Sequence, residues 1–362
     1  MAVKTSIIAA VAMLQTVDNS ILKMAFPVEY THDSQKVEFD VYDGGADIAL
    51  KGSFLQQSNV VSKDGYKTVT VNPMQINESI TDAPVNFNKK RIGESLAGDI
   101  KGIDARKQMQ IEADMKGFAK LKKRGQRLIK KSAYDVLVTG KVVVSAKDGK
   151  TDEIDYGLTN KIVNDTATAG QYEWNDTDNS NPIEQLETVA LGMKQYAPNT
   201  FVLGFESHKA FINHPKVLTS DNTTTGKKAN FYLPTKEERA AKSTDTFIFV
   251  GTTAGDYGKS LEIYVELDEY NDGTTDVAYM DKNYAVGFKR GNSEAGQIQY
   301  GNIPVAVDRG ADSEIESFVG KEWIDADVKK DPAGVKRYYR SSPLPTMNQP
   351  KAFVSIKATL VA

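Results

Sequence analysis

Eight lysines and arginines crowd into the sixteen residues KGFAKLKKRGQRLIKK, positions 116–131, and no acid stands among them. Without an interleaved carboxylate these cations cannot pair within the run, so the chemistry they offer is contact with a polyanion. Phe118 and Tyr134 are the only aromatic residues between 116 and 134, too few for stacking on single-stranded bases. Contact would therefore be with phosphates and blind to base sequence. A solvated helix face, balanced by acids elsewhere in the chain, is the competing reading of the same residues.

Other groupings offer less. The chain has no cysteine, which removes disulfides, thiolate nucleophiles and cysteine-ligated zinc. His208 and His214 lie six apart, without the i, i+4 spacing or the glutamate of a zinc hydrolase, and His32 stands by itself. Asp176, Asp178, Ser180 and Glu187 occupy calcium-loop positions, but Asn181 replaces the turn glycine and Pro182 opens a helix, so turn and cap explain them better. The stretch GTTAGDYG, 251–258, lacks both the lysine of a phosphate loop and dinucleotide spacing, and no Gly-x-Ser-x-Gly elbow exists. The sequence thus predicts no catalytic residue, no metal and no cofactor.

These residues sit in a chain of 362 with formal net charge -3, so the basic run is a local feature and not the signature of a dedicated nucleic-acid binder. The length suits about two packed units, and 40% hydrophobic residues suffice for their cores. The apolar stretch SIIAAVAML, 6–14, is too short to span a membrane. With one preceding lysine and no cleavage pattern after it, it predicts a docking terminal helix.

The basic run must ride on a helix. Over 104–137, Ile111, Met115, Phe118, Leu121, Leu128, Ile129 and Val136 recur at helical spacing, with Gly125 in the same stripe where another element can approach. Lys116, Lys120, Lys123, Arg124, Arg127, Lys130 and Lys131 fall opposite; Lys122 falls within the stripe. Before it, 1–40 reads as an arm, and 41–80 as a long hairpin turned at Asp64-Gly65, polar on both faces and in need of a neighbouring surface. After it come a hairpin turned at Asp148-Gly149 and a helix capped by Asn181 with Pro182 at its first position. Next follow a strand over 201–205 and a helix from Ser207 to His214, then strands at 247–251, 261–267 and 277–280, with a turn at Asn271-Asp272-Gly273. A terminal strand, AFVSIKATLV, stands behind two proline-marked turns. The class is α+β.

In this order the elements resemble the layout of tailed-bacteriophage major capsid proteins. YDVLVTGKVVV resembles the helix-to-hairpin passage of the lambda-like branch, the family of the lambda major head protein. NTFVLGFESHKAFINHPKV, LEIYVELDEYNDG with YMDKNYAVGF, and SSPLPTMNQPKAFVSIKATLVA are similar to its later stretches, and their collinear order carries the likeness. The resemblance implies an HK97-type fold: N-terminal arm (1–40), extended loop (41–80), peripheral domain with spine helix (81–180), axial domain (181–340) and C-terminal strand segment (341–362).

It further implies a virion protein assembled in the host bacterial cytoplasm into hexamers and pentamers around double-stranded DNA. Scaffold, portal and decoration proteins are the implied partners. Leu50, Phe54, Tyr66, Val69 and Val71 would face a neighbouring subunit, and the basic helix face would look toward packaged DNA. No enzymatic activity and no covalent cross-linking is expected. An encapsulin-like cargo compartment is the alternative on the same fold; a monomeric DNA-binding or hydrolytic protein is the alternative from another class.

Overall fold

A computed structural model describes residues 17–42, 66–82, 103–145, 152–165, 168, 171–218, 231–253, 260–308, 313–330 and 333–360. The chain begins with helix α1 (Ser20–Ala25), strand β1 (Val28–Thr31), the ribbon β2 (Val37–Tyr42) and β3 (Tyr66–Val71), and β4 (Ile76–Asp82). The long helix α2 (Ile103–Thr139) follows, close to the bounds its periodicity predicts, then β5 (Lys141–Ser145), β6 (Asp152–Asp155) and β7 (Lys161–Val163). Next come α3 (Pro182–Gly192), β8 (Thr200–Leu203), α4 (Phe205–Ile212), α5 (Pro215–Leu218), β9 (Phe231–Tyr232) and α6 (Lys236–Lys242). The remainder is strand: β10 (Phe247–Thr253), β11 (Glu262–Glu266), β12 (Glu269–Asn271), β13 (Asp276–Ala278), β14 (Tyr284–Phe288), β15 (Gly296–Tyr300), β16 (Ile303–Asp308), β17 (Ser313–Phe318), β18 (Trp323–Lys330), β19 (Ala333–Ser341), β20 (Pro343–Met347) and β21 (Phe353–Lys357).

Seven strands form a mixed sheet in the order β7-β21-β14-β8-β11-β10-β9. Its central strand β8 is buried on both faces, so alternate residues feed two cores. Phe201 and Leu203 join the cluster under α3, α4 and α5, whereas Val202 joins the larger cluster that receives the apolar stripe of α2. Helix α3 starts as its sequence dictates: Asn181 accepts from the Glu184 N–H and Pro182 holds the first position, while Ile183, Leu186 and Ala190 are buried. Elsewhere the architecture is thin, with two three-stranded sheets, β1-β15-β20 and β18-β19-β4, and four two-stranded ribbons among the described residues.

Several expectations are corrected. Residues 20–31 are not a free arm: Ile21, Leu22, Met24, Ala25 and Phe26 are buried in the main core, and β1 pairs in parallel with β15. The ribbon β2–β3 is not polar on both faces; Val37 and Phe39 are buried, and Val41, Val69 and Val71 pack against the chain's own core. Of the prolines ahead of the terminal strand, Pro350 opens a short 3-10 turn, but Pro343 and Pro345 lie within β20, an edge strand where a missing N–H can face outward. The helix expected at Ser207 starts at Phe205 behind Gly204, with Ser207 inside it donating to the Lys282 carbonyl. The segments SIIAAVAML, Leu50, Phe54, the Tyr66 side chain and the turns Asp64-Gly65 and Asp148-Gly149 lie outside the described residues.

Candidate nucleic-acid interface on the long helix

Helix α2 runs for 37 residues, about 55 Å at 1.5 Å per residue. Its two glycines each weaken it by about 1 kcal/mol relative to alanine, and both serve close packing. A Cβ on Gly125 would stand 2.4 Å from a Tyr339 ring carbon, and one on Gly117 would stand 3.0 Å from Cδ of the buried Arg337. Phe118, Leu121, Ile129 and Val136 are buried as the periodicity requires, but Leu128 is 44% exposed and leaves the stripe.

The seven cations expected on the opposite side divide. Lys116, Lys120, Lys123 and Arg127 are exposed. Their spacing of four, three and four keeps them within an arc of about 60° along roughly 16 Å of helix. Arg124 is exposed but forks onto Glu78 of β4, at 3.1 and 3.2 Å. Lys131 pairs with Asp135 one turn on. Lys130 does not belong to the face at all: it is 0% exposed. Sequence periodicity puts it with its neighbours because nothing local distinguishes it; Glu266 at the end of β11, with Asp268 and Tyr279 on either side of the β12–β13 ribbon, closes over it.

The burial of Lys130 is compensated in full. Its ammonium lies 3.3 Å from Glu266 and 2.8 Å from Asp268, and 4.7 Å from the centre of the Tyr279 ring. Tyr134, one turn further on, donates to the other Glu266 oxygen, and the Asp268 N–H donates to the first. Burial foremost raises the Glu266 carboxyl above its ordinary range, against the opposing pull of Lys130 and the Tyr134 hydroxyl. Burial, with Glu266 beside it, pushes the Tyr134 phenol well up, so it remains a donor. The sequence held one sign of this network, an acid ending the apolar run LEIYVE. Lys122, in the stripe as expected, is likewise buried and paired, 3.0 Å from Glu322.

The remaining sequence candidates take structural roles. Asp176 accepts from the N–H groups of Asp178 and Asn179 in a turn that leads to the Asn181 cap. His214 is buried, with Nδ1 accepting from the Lys216 N–H; Nε2 must then carry the proton and donates to Ser180 Oγ. His32 meets Gln299. Among the described residues no group of three or more metal-type ligands converges, and no helix is long and apolar enough to cross a membrane.

Thin sheets and ribbons with one long helix, joined to a helix-covered mixed sheet, make up a fold of the HK97-type capsid class. The comparisons make the assignment particular: residues 4–358 match the model of the phage major capsid protein E family, and the chain belongs to that family. It is thus a phage major capsid protein, a component of the virion shell. Among solved structures it is similar to a prophage protein of Escherichia coli CFT073 described as a capsid protein, at 16% identity and TM-score 0.63, covering 98% of each chain. It is also similar to a phage-related protein of Bordetella bronchiseptica RB50, at 11% identity and TM-score 0.50, covering 98% of this chain and 96% of that one. At such identities the likeness shows the fold alone. No curated protein sequence matches the chain.

Proposed function

We propose that copies of this chain form hexamers and pentamers that close into an icosahedral shell around double-stranded DNA, with the exposed stripe of α2 turned toward the DNA. The observation that carries the DNA-facing part is the contrast on one helix. Lys116, Lys120, Lys123 and Arg127 are aligned and exposed, with no carboxylate bonded to any of them among the described residues, while every other cation of the run has an acidic partner. Lys130, expected on this face, is excluded from it by burial.

In this reading α2 is the spine of a peripheral domain, and the seven-stranded sheet with α3–α5 is the body of the axial domain. Assembly takes place in the host cytoplasm, with a scaffold protein, a portal and in some shells a decoration protein. The chain works by containment and carries out no catalysis. The fold alone would serve an encapsulin-like compartment equally; the family match favours the phage shell.

The test is duplex DNA binding by assembled particles, opened or disrupted so that the inner face is accessible, measured against salt. Four phosphate contacts per chain give a slope of log K against log[salt] near about -3.6, and removing Lys120 and Lys123 flattens it by about 1.8. Salt-independent binding, or a slope unmoved by those substitutions, would remove the stripe from the DNA-facing role.

A further inference from the structure

Strand β7 is an outer edge of the seven-stranded sheet and, among the described residues, pairs only with β21. Because the Asn164 N–H bonds the Lys357 carbonyl, alternation turns the N–H and C=O of Val163 away from the sheet. The Val163 side chain is 54% exposed. Beside this open edge run two adjoining cavities of about 390 and 510 Å³ that share Ile162 of β7 and Val189 of α3, so together they form one trough along the helix. Its lining mixes apolar residues, Ile162, Val189, Met193 and Val354, with polar ones, and its ends differ in charge: Glu184 lies at the start of α3, and Lys161 and Lys351 lie where α3 ends. A third cation, Lys194, stands at that same end with φ 51, the one positive φ among the described non-glycine residues. Strain of this kind is held only where surrounding structure enforces it, and it clusters at working surfaces.

The complementary surface is on the same chain. From Leu267 to Asp281 there are five acids, Asp268, Glu269, Asp272, Asp276 and Asp281, and no base. Glu269, Asp272 and Asp276 are exposed on the ribbon β12–β13, which has no third strand among the described residues and so keeps two open edges. A ribbon with open edges and an edge strand with outward main-chain groups are suited to join.

We propose that the trough beside β7 is a contact between copies of this chain: the acidic β12–β13 hairpin of one copy lies along the β7 edge of the next, with its carboxylates against Lys161, Lys194 and Lys351. The two surfaces are different patches of one molecule, so the contact is heterologous and propagates around a ring until it closes. The proposal rests on the assembly reading above.

Charge reversal tests it. K161E/K351E and E269K/D276K each leave the thermal melt unchanged, but each raises the protein concentration needed for rings or shells in sedimentation by about tenfold or more. Placing all four substitutions in one chain restores assembly, because attraction returns with both signs exchanged. A wild type that assembles beside single-surface variants that assemble equally well, or four substitutions that fail to restore assembly, would overturn this contact and leave the shell reading intact. A wild type that remains monomeric overturns both.

Discussion

The two halves of helix α2 carry the same residue types to opposite ends. From Lys116 to Arg127 the lysines and arginines off the stripe remain in solvent; from Lys130 to Tyr134 a lysine and a tyrosine are sealed against Glu266 and Asp268. Both halves obey the same periodicity. The difference lies in what packs against them: a narrow three-stranded sheet covers only the inner side of the first half, whereas strands of the seven-stranded sheet, with Asp268 and Tyr279 beyond the end of β11, close over the second. Helical spacing therefore fixes which residues share a face, and the width of the neighbouring element fixes whether that face is wet.

The largest test of this contrast is Lys130→Ala. It strands Glu266 in the core without its ammonium, and chemical denaturation should show a loss of about 3–5 kcal/mol. Replacing both partners, as Lys130→Met with Glu266→Leu, should recover much of that loss, since no charge is then left buried alone. Lys123→Ala, on the exposed face of the first half, should change stability by no more than about 0.5 kcal/mol. Equal effects at 123 and 130 would erase the distinction between the two halves.

The two glycines sharpen it at an intermediate scale. Gly125→Ala drives a Cβ into the Tyr339 ring and should destabilise by roughly 1–3 kcal/mol, less the helical gain of alanine. Gly117→Ala brings a Cβ within 3.0 Å of Cδ of the buried Arg337, a milder clash than at Gly125 and partly offset by helix propensity, so it should destabilise less. Denaturation curves for the pair should differ in midpoint, with Gly125→Ala the lower.

The smallest effect concerns the β12–β13 hairpin, whose flanking residues Asp268 and Tyr279 meet Lys130. Its turn is held by Asp272, whose carboxylate accepts from the Thr275 and Thr274 N–H groups and is pulled down to about 2 by them. Because the folded value lies below the unfolded one, this contribution is complete above about pH 4 and is lost as pH falls toward about 2. Protection of the Thr274 and Thr275 amides, taken relative to their intrinsic exchange rates at each pH, should fall over that window, and Asp272→Ala should show the lowered protection already at neutral pH.

Much of the molecule is legible in its sequence. The bounds of α2, the Asn181-Pro182 start of α3 and the approach at Gly125 follow from local rules, because spacing, caps and missing side chains act over a few residues. The collinear resemblance to capsid proteins points to the family that residues 4–358 match. The misplacements arise where the deciding partner is remote. Lys130 answers to Glu266, 136 residues away; β1 answers to β15; the ribbon's Val69 and Val71 answer to the chain's own core. Pro343 and Pro345 read as turns because their place on a sheet edge depends on strands far along the chain.

The sequence by itself determined which residues could line one face of the helix, because periodicity is a property of the chain alone. Only the tertiary structure decided that four cations stay in water while a fifth is buried, because desolvation depends on what else arrives at that surface.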